Sequence, residues 1–397
     1  GGNICGFYEI GSDERLRKFR TFKSLPNINW NDPELRFVDL TGDGLADILI
    51  TNGEVFTWYQ SCGEEGFDHC SEVINQLDKE RGPRILFSDS QQMIVFSDMS
   101  GDGLSDIVRI KNGEVCYWPN LGYGKFGAKI TMDQSPLFDS PDLFNPKRLL
   151  LADIDGSGVT DIIYYNGNTL TIYFNLSGNR FAEPYQLQLP VFFDDTMQVS
   201  AFDLLGNGTA CLVWSSALPS PDMQPVRYIE LMKNGKPHLL TRIVNNFGAE
   251  TSMSYAPSTR FYLEDLQNGT PWITRLSFPV HVLERVEHYD AISKSRLVTR
   301  YSYHHGYFDG EEREFRGFAK VEQWDAESFD ADSGSGHVSH ASDEQLSLPP
   351  VRTVSYFHTG AFLEASEFES KLSEEYFDIG AGFVLPDTQI PAGINSQ

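Results

Sequence analysis

Short apolar runs, each following a loop rich in Asp and Gly, dominate the first half of the chain. The runs at 48–50, 162–165 and 212–214 are continuous rather than alternating. Such short continuous runs are typical of strands that are covered on both faces. An Asn-Gly pair follows at 52–53, 112–113 and 166–167, and this dipeptide predicts a tight hairpin. An aromatic run after each pair then provides the returning strand.

The Asp/Gly loops repeat one pattern. We call the copies loop 1 (39–47), loop 2 (98–106), loop 3 (153–161) and the decayed loop 4 (203–211); they start 59, 55 and 50 residues apart. Each unit has three or four predicted strands and almost no helical periodicity. Regular repeats of this kind predict an all-β fold with β-propeller blades. One helix is predicted at 71–79, where Val73, Ile74 and Leu77 form an apolar stripe.

The loops are candidate cation sites because they place oxygen atoms at positions 1, 3, 5 and 9 and a backbone carbonyl at position 7. Calcium prefers six or more oxygen ligands, and a Gly at position 6 permits the sharp turn. The candidate ligands are Asp39, Thr41, Asp43, Leu45 and Asp47; Asp98, Ser100, Asp102, Leu104 and Asp106; and Asp153, Asp155, Ser157, Val159 and Asp161. Loop 4 keeps one carboxylate and is predicted to bind no ion. A metal-free interpretation stays equally open, since Asp side chains also cap turns.

A segment rich in Pro and Ser at 219–225 predicts the boundary between two regions. Residues 1–225 then form the propeller blades, either incomplete or partly degenerate. Residues 226–397 have longer alternating strands, and 325–350 is an acidic Ser/Gly-rich stretch that predicts an exposed loop. The chain begins without Met, so we expect a piece of a longer protein.

Composition excludes several classes of function. The 397 residues have a formal net charge of -25, which disfavours nucleic acid and anionic membranes as partners. No apolar run is long enough to span a bilayer. The five cysteines include no CxxC pair, so neither a zinc ribbon nor a disulfide framework is predicted.

Catalytic chemistry finds no support in the motifs. The sequence has no G-x-S-x-G, H-E-x-x-H or P-loop pattern, and no nucleophile, base and orienting group come together in it. His304 and His305, near Asp309 and Glu311, could be ligands or acid/base groups, but a turn between aromatic strands is the favoured interpretation. The chain is therefore predicted not to be an enzyme.

Two segments of the second region resemble a known family. These are 271–280, Pro-Trp-Ile-Thr-Arg-Leu-Ser-Phe-Pro-Val, and 303–318, Tyr-His-His-Gly-Tyr-Phe-Asp-Gly-Glu-Glu-Arg-Glu-Phe-Arg-Gly-Phe. Together with 354–360 they resemble the B component of bacterial insecticidal toxin complexes, the Tc toxins. The repeat loops are similar to FG-GAP/VCBS propeller loops and to the calcium-binding blade loops of integrins. The resemblance extends from about residue 35 to the end.

The resemblance implies a secreted, extracellular, non-enzymatic component of a toxin. In that family a six-bladed propeller docks on the A-component pore, and it gates release of an effector held in a shell of Rhs-type strands built with the C component. Residues 226–397 would be the start of that shell. Direct membrane insertion is not implied.

Two other classes of function stay open. One is a calcium-dependent, integrin-like adhesion or recognition propeller, which would not need the 303–318 segment. The other is a polysaccharide-active enzyme, which would need a pair of carboxylates across a cleft. The abundance of Asp and Glu prevents the sequence from selecting such a pair.

Overall fold

Small antiparallel sheets follow one another along the chain in the computed structural model. It describes residues 5–9, 15–52, 55–74, 91–194, 196–216, 226–274, 276–309, 312, 314–326, 351–360 and 370. At the N-terminal end, strands β1 (Gly6–Phe7) and β2 (Arg20–Thr21) pair with each other.

The first two sheets have four strands each and the same plan. The first sheet consists of β3 (Leu35–Val38), β4 (Asp47–Asn52), β5 (Val55–Ser61) and β6 (Phe67–Ile74), and the second of β7 (Gln92–Ser97), β8 (Asp106–Lys111), β9 (Glu114–Trp118) and β10 (Ile130–Thr131). All pairs are antiparallel between neighbours in sequence. In the second sheet Asn112 and Gly113 join β8 to β9, and Gly113 has φ 86°, as the predicted hairpin requires.

The third sheet contains a strand element that folds back on itself. It consists of β11 (Leu149–Ala152), β12 (Asp161–Tyr173) and β15 (Tyr185–Phe193), and the short pair β13 (Asn175–Leu176) and β14 (Arg180–Phe181) lies beside it. The start of β12 pairs with β11 and its end with β15. The backbone N–H of Asn175 donates to the Asp161 carboxylate at 2.8 Å, whereas thirteen extended residues would span about 40 Å. The chain therefore reverses within β12, where Gly167 has φ 60°.

The fourth sheet crosses the predicted boundary between the two regions. It consists of β16 (Met197–Phe202), β17 (Cys211–Ser216) and β18 (Val226–Glu230), with β17 in the centre. Residues 217–225, which include the predicted linker, lie outside the described residues. Because β18 pairs with β17 from Val226 onward, the fourth unit continues beyond residue 225.

Successive sheets pack face to face in the order of the sequence. One apolar cluster, including Leu49, Trp58 and Trp118, joins the first sheet to the second. Two further clusters join the second sheet to the third and the third to the fourth. This stack explains the continuous apolar run at 162–165, since the third sheet is an inner sheet that is covered on both faces. The all-β prediction is confirmed; the described residues show four blade-like sheets in a row, and closure into a propeller ring stays a prediction.

A six-stranded antiparallel sheet follows the stack. Its order is β19 (Arg242–Val244), β20 (Ala249–Pro257), β21 (His281–Asp290), β22 (Arg296–Asp309), β23 (Glu314–Ala326) and β24 (Val351–Tyr356). Helix α1 (Ser258–Gln267) connects β20 to the segment before β21 and buries Phe261 against the sheet. The helix ends at Asn268 and Gly269, and Gly269 has the positive φ that favours glycine after a helix.

Several local predictions are corrected by these elements. Residues 71–74 belong to β6 and pair with β5, so the predicted helix is wrong there; residues 75–79 lie outside the described residues. β23 reaches Ala326, so a loop at 325–350 cannot begin before 327, and 327–350 are not described. His304 and His305 lie within β22, not in a turn. Within the described part of the chain, no helix is long and apolar enough to cross a membrane.

Candidate functional site: the aspartate loops

The first Asp of each loop holds the turn together through backbone N–H groups. Asp39 accepts from Gly42 and, at 2.8 Å, from Gly44. Asp98 accepts from Gly101 at 2.7 Å and Gly103 at 2.8 Å. In loop 3 the donors to Asp153 are Ser157 and Gly158, both at 2.9 Å. These carboxylates therefore cap their own turns, as the metal-free interpretation predicts.

The last Asp of loops 1 to 3 fastens the loop to the end of the following hairpin. In each case one oxygen accepts from the residue seven positions earlier and the other from the residue fourteen positions later. The donors are Leu40 and Ser61 to Asp47, Met99 and Asn120 to Asp106, and Ile154 and Asn175 to Asp161, at 2.8–3.0 Å. We call these three side chains the clip aspartates, because each closes both a loop and a hairpin.

The clip aspartates are almost completely removed from solvent. Asp47 and Asp106 are 0% exposed and Asp161 is 1% exposed. Burial raises the pKa of Asp47 and of Asp106 to about 6 and that of Asp161 to about 7, in spite of the backbone N–H groups that favour the charged form. Nearby carboxylates of the same loop raise these pKa values further.

The remaining predicted ligands differ between the loops. The hydroxyls of Thr41 and Ser100 at position 3 lie 3.4 Å from Asp39 and Asp98. The position-5 carboxylates Asp43 and Asp102 accept from the N–H groups of Leu45 and Leu104. In loop 3 position 3 is Asp155, which accepts from Ser157, and Val159 is buried against loop 2.

Loop 3 brings three carboxylates together. Ligand oxygens of Asp153, Asp155 and Asp161 all lie within 4.8 Å of one another. Among the described residues, loops 1 and 2 form no such group, because their position 3 is a hydroxyl. An open groove of about 800 Å³ lies beside loop 3 and is lined by Asp155, Ser157, Arg180 and His238 among others. His238 Nε2 lies 3.4 Å from Asp155.

Loop 4 keeps the turn without the candidate ligands. Asp203 accepts from Asn207 at 3.0 Å and from Gly208 at 2.7 Å, as Asp153 does in loop 3. A buried Cys211 stands at the position of the clip aspartate. The geometry of the turn therefore depends on the first Asp and the glycines and does not require an acidic cluster.

The loops also contact each other across the stack. The N–H of Thr160 in loop 3 donates to the carbonyl of Asp98 in loop 2 at 2.9 Å, and Ala210 in loop 4 donates to Ile154 in loop 3 at 3.3 Å. The side chain of Asn175 reaches back to the Met99 carbonyl at 2.9 Å. Each unit is thus fastened to the preceding one by polar as well as apolar contacts.

A second polar cluster lies in the six-stranded sheet, and the His pair at 304–305 was its one signal in the sequence. Asp265 of α1 accepts from Trp272 Nε1 at 2.7 Å and lies 2.6 Å from His304 Nδ1. His304 Nε2 lies 3.8 Å from Glu322, which also pairs with Arg352.

Comparison with known proteins places this architecture in a family. Residues 177–338 match the family described as the insecticide toxin TcdB middle/N-terminal region. A chain of the Photorhabdus luminescens Tc holotoxin pore is 34% identical over 95% of this chain and 17% of its own, with a TM-score of 0.76. The structure of TcdB2–TccC3–TEV is similar too, with 29% identity over 93% of this chain and 19% of that chain and a TM-score of 0.65. The structure of TcdB2–TccC3–Cdc42 has 27% identity over 87% of this chain and 20% of that chain, with a TM-score of 0.62. The chain spans about a fifth of the length of these solved chains. No curated protein matches it.

Proposed function

Because this chain belongs to the Tc toxin B components, we propose that it is a non-catalytic structural part of a secreted toxin complex. The stack would dock on the A-component pore and control the exit of the effector, and the six-stranded sheet would begin the shell that is completed with the C component. The observation that carries the proposal is the similarity of 95% of this chain to one Tc holotoxin pore chain, through the stack and the sheet alike.

Among the described residues, the six-stranded sheet ends in two edge strands with no further partner strand, and these edges support the shell half of the proposal. Its outer strands are β19 and β24, and Ile243, Val244 and Val351 on them are at least half exposed. Exposed apolar edge strands are templates for pairing with further strands. In a shell, those further strands would cover these edges.

The docking half is tested by mixing the 397-residue chain with a purified A-component pore and separating the mixture by size. We expect the chain to elute with the pore, and a complete B–C complex to displace it. Circular dichroism of the same sample serves as the control for folding. A folded chain that elutes alone at micromolar concentrations of both proteins would overturn the docking proposal.

As a second proposal, loop 3 binds a calcium ion. The support is the carboxylate group of Asp153, Asp155 and Asp161, since carboxylate oxygens are the ligands that calcium prefers. Such an ion would be compatible with either a toxin component or the calcium-dependent adhesion alternative. It would add stability to the joint between the third and fourth units.

Calcium titration followed by thermal unfolding tests this second proposal. A ligand at 100 times its Kd stabilises the folded state by about 2.7 kcal/mol, so the melting temperature should rise. The variant Asp155→Asn should lose the rise, whereas Asp43→Asn in loop 1 should keep it. An equal rise in both variants, or none in the unmodified chain, contradicts a site in loop 3.

A further inference from the structure

Loop 4 is covered in a different way from loops 1 to 3. A Cβ placed on the position-6 glycine of those three loops, Gly44, Gly103 or Gly158, would have no atom of the described residues within 4 Å. A Cβ on the corresponding Gly208 would lie 3.0 Å from His281 Cε1 and 3.5 Å from Pro279. The face of the turn that is open in the earlier loops is therefore occupied in loop 4.

The position-4 glycines show which part of the chain takes that place. In loop 2 a Cβ on Gly101 would meet Val159 of loop 3 at 2.8 Å, and in loop 3 a Cβ on Gly156 would collide with the Gly208 carbonyl of loop 4. Each glycine is thus the contact point for the next unit. In loop 4 the corresponding glycine is Gly206, and a Cβ placed on it would lie 3.5 Å from the Cγ2 atom of Thr259 in α1.

Polar contacts fix this arrangement. The Thr259 hydroxyl donates to the carbonyl of Gly206. Ser258 and Val280 exchange two hydrogen bonds, of 2.8 and 3.0 Å, which hold the starts of α1 and β21 together. Thr259 follows Ser258 and His281 follows Val280, so these two residues contact loop 4 side by side.

We propose that loop 4 is the joint that sets the orientation of the six-stranded sheet on the stack, with Thr259 and His281 docked on its two glycines. Leu205, Asn207 and Cys211 stand where loop 3 has Asp155, Ser157 and Asp161. The loss of carboxylates leaves a turn that needs no cation and can be covered by neutral groups. This joint is independent of whether the chain docks on a pore.

Distance measurement between two spin labels tests the joint in the whole chain. One label is placed at Glu183→Cys on the third unit and the other at Ser293→Cys on the hairpin between β21 and β22. Cys5, Cys62 and Cys70 are replaced by Ser, since they are accessible, and the buried Cys116 and Cys211 are kept. We expect one narrow distance distribution.

Two pairs of variants isolate the contacts. Gly208→Ala and Gly158→Ala impose similar backbone strain, because both glycines have positive φ (76° and 91°), but only the first inserts a methyl group against His281. Thr259→Val removes the hydroxyl, and Thr259→Ser retains it. We expect Gly208→Ala combined with Thr259→Val to broaden the distribution about twofold, as for a released hinge.

The control variants Gly158→Ala and Thr259→Ser should keep the narrow distribution. A broad distribution in the parent protein would overturn the proposal. So would an equal width in all folded variants, with folding verified by circular dichroism. If the combined variant does not fold, Gly208→Ala alone is compared with Gly158→Ala.

Discussion

At the scale of single residues, the clip aspartates show how much of the site the sequence could predict. The Asp positions and the sharp turns followed from the repeat pattern. Their bonding did not, because the donor fourteen residues later depends on the length of the intervening hairpin. Sequence alone therefore cannot separate an Asp that binds a cation from one whose two oxygens already accept backbone N–H groups.

The buried clip aspartate Asp106 makes stability depend on pH. Its pKa is raised to about 6, so between about pH 4 and 6 the folded chain keeps a proton that the unfolded chain has lost. Stability from this group is therefore present below pH 4 and is lost as pH rises through 6. At about 1.4 kcal/mol per pKa unit, the loss is at most about 3 kcal/mol.

Urea unfolding of Asp106→Asn at a series of pH values measures this loss. The variant cannot ionise, so its stability relative to the unmodified chain should rise between pH 4 and 7. Asp142→Asn, in which an exposed carboxyl outside the loops is replaced, provides the control, and its stability should change with pH in parallel with that of the unmodified chain. If the unfolding free energy of Asp106→Asn also changed with pH in parallel with that of the unmodified chain, the assignment of this pH dependence to Asp106 would be contradicted.

At the scale of elements, the turn signals were reliable and the helix signal was not. Asn-Gly identified the reversals after β8 and within β12, since positive φ at Gly is a local requirement. The stripe of Val73 and Ile74 suited a helix equally well. The pairing of β6 with β5 decided the outcome, and it leaves Ile74 79% exposed. Such tertiary pairing is not encoded within the segment itself.

The turns that follow the second and third hairpins offer a matched pair of asparagines. Asn120 and Asn175 are both buried, and each accepts one backbone N–H in its turn. The Asn175 amide also donates to the carbonyls of Met99 at 2.9 Å and Thr160 at 3.1 Å, whereas Asn120 Nδ2 has no hydrogen-bond partner among the described residues. Of these two asparagines, only Asn175 therefore adds side-chain hydrogen bonds that reach the preceding unit.

Replacement of each asparagine by alanine should lower the unfolding free energy by different amounts. Asn175→Ala leaves two buried carbonyls unpaired and should cost about 1–3 kcal/mol more in unfolding free energy than Asn120→Ala. Urea unfolding of both variants gives the comparison. Equal losses would mean that the contacts of the Asn175 amide with its neighbours contribute no net stability.

At the scale of the whole molecule, the sequence predicted blade-like units and a change of strand type near residue 225. The structure adds that the sheets stack in chain order and that β18 belongs to the fourth of them. Closure into a ring stays a prediction, because it depends on contacts between the first and last blades, and such contacts leave no local signal in the sequence. The joint at loop 4 was equally hidden, as its parts are more than fifty residues apart.

The polar cluster around Asp265 should stabilise the six-stranded sheet and leave the stack unaffected. Asp265→Asn weakens the contacts to Trp272 and His304 and should cost about 2–4 kcal/mol in that sheet. Hydrogen exchange resolved by peptide should then rise in β20 to β23 and stay constant in β3 to β17. Asp290→Asn, at the outer hairpin, is the control, and a uniform rise across the chain would contradict two separable cores.

The order of the stack has a consequence for biosynthesis. Every sheet packs on the one that was made immediately before it, and each clip aspartate is satisfied by a residue only fourteen positions later. Among the described residues, the strands of each sheet in the row pair with strands that lie close in sequence. The row is thus suited to vectorial folding during translation, in which each new sheet packs on the preceding, already folded sheet soon after it leaves the ribosome.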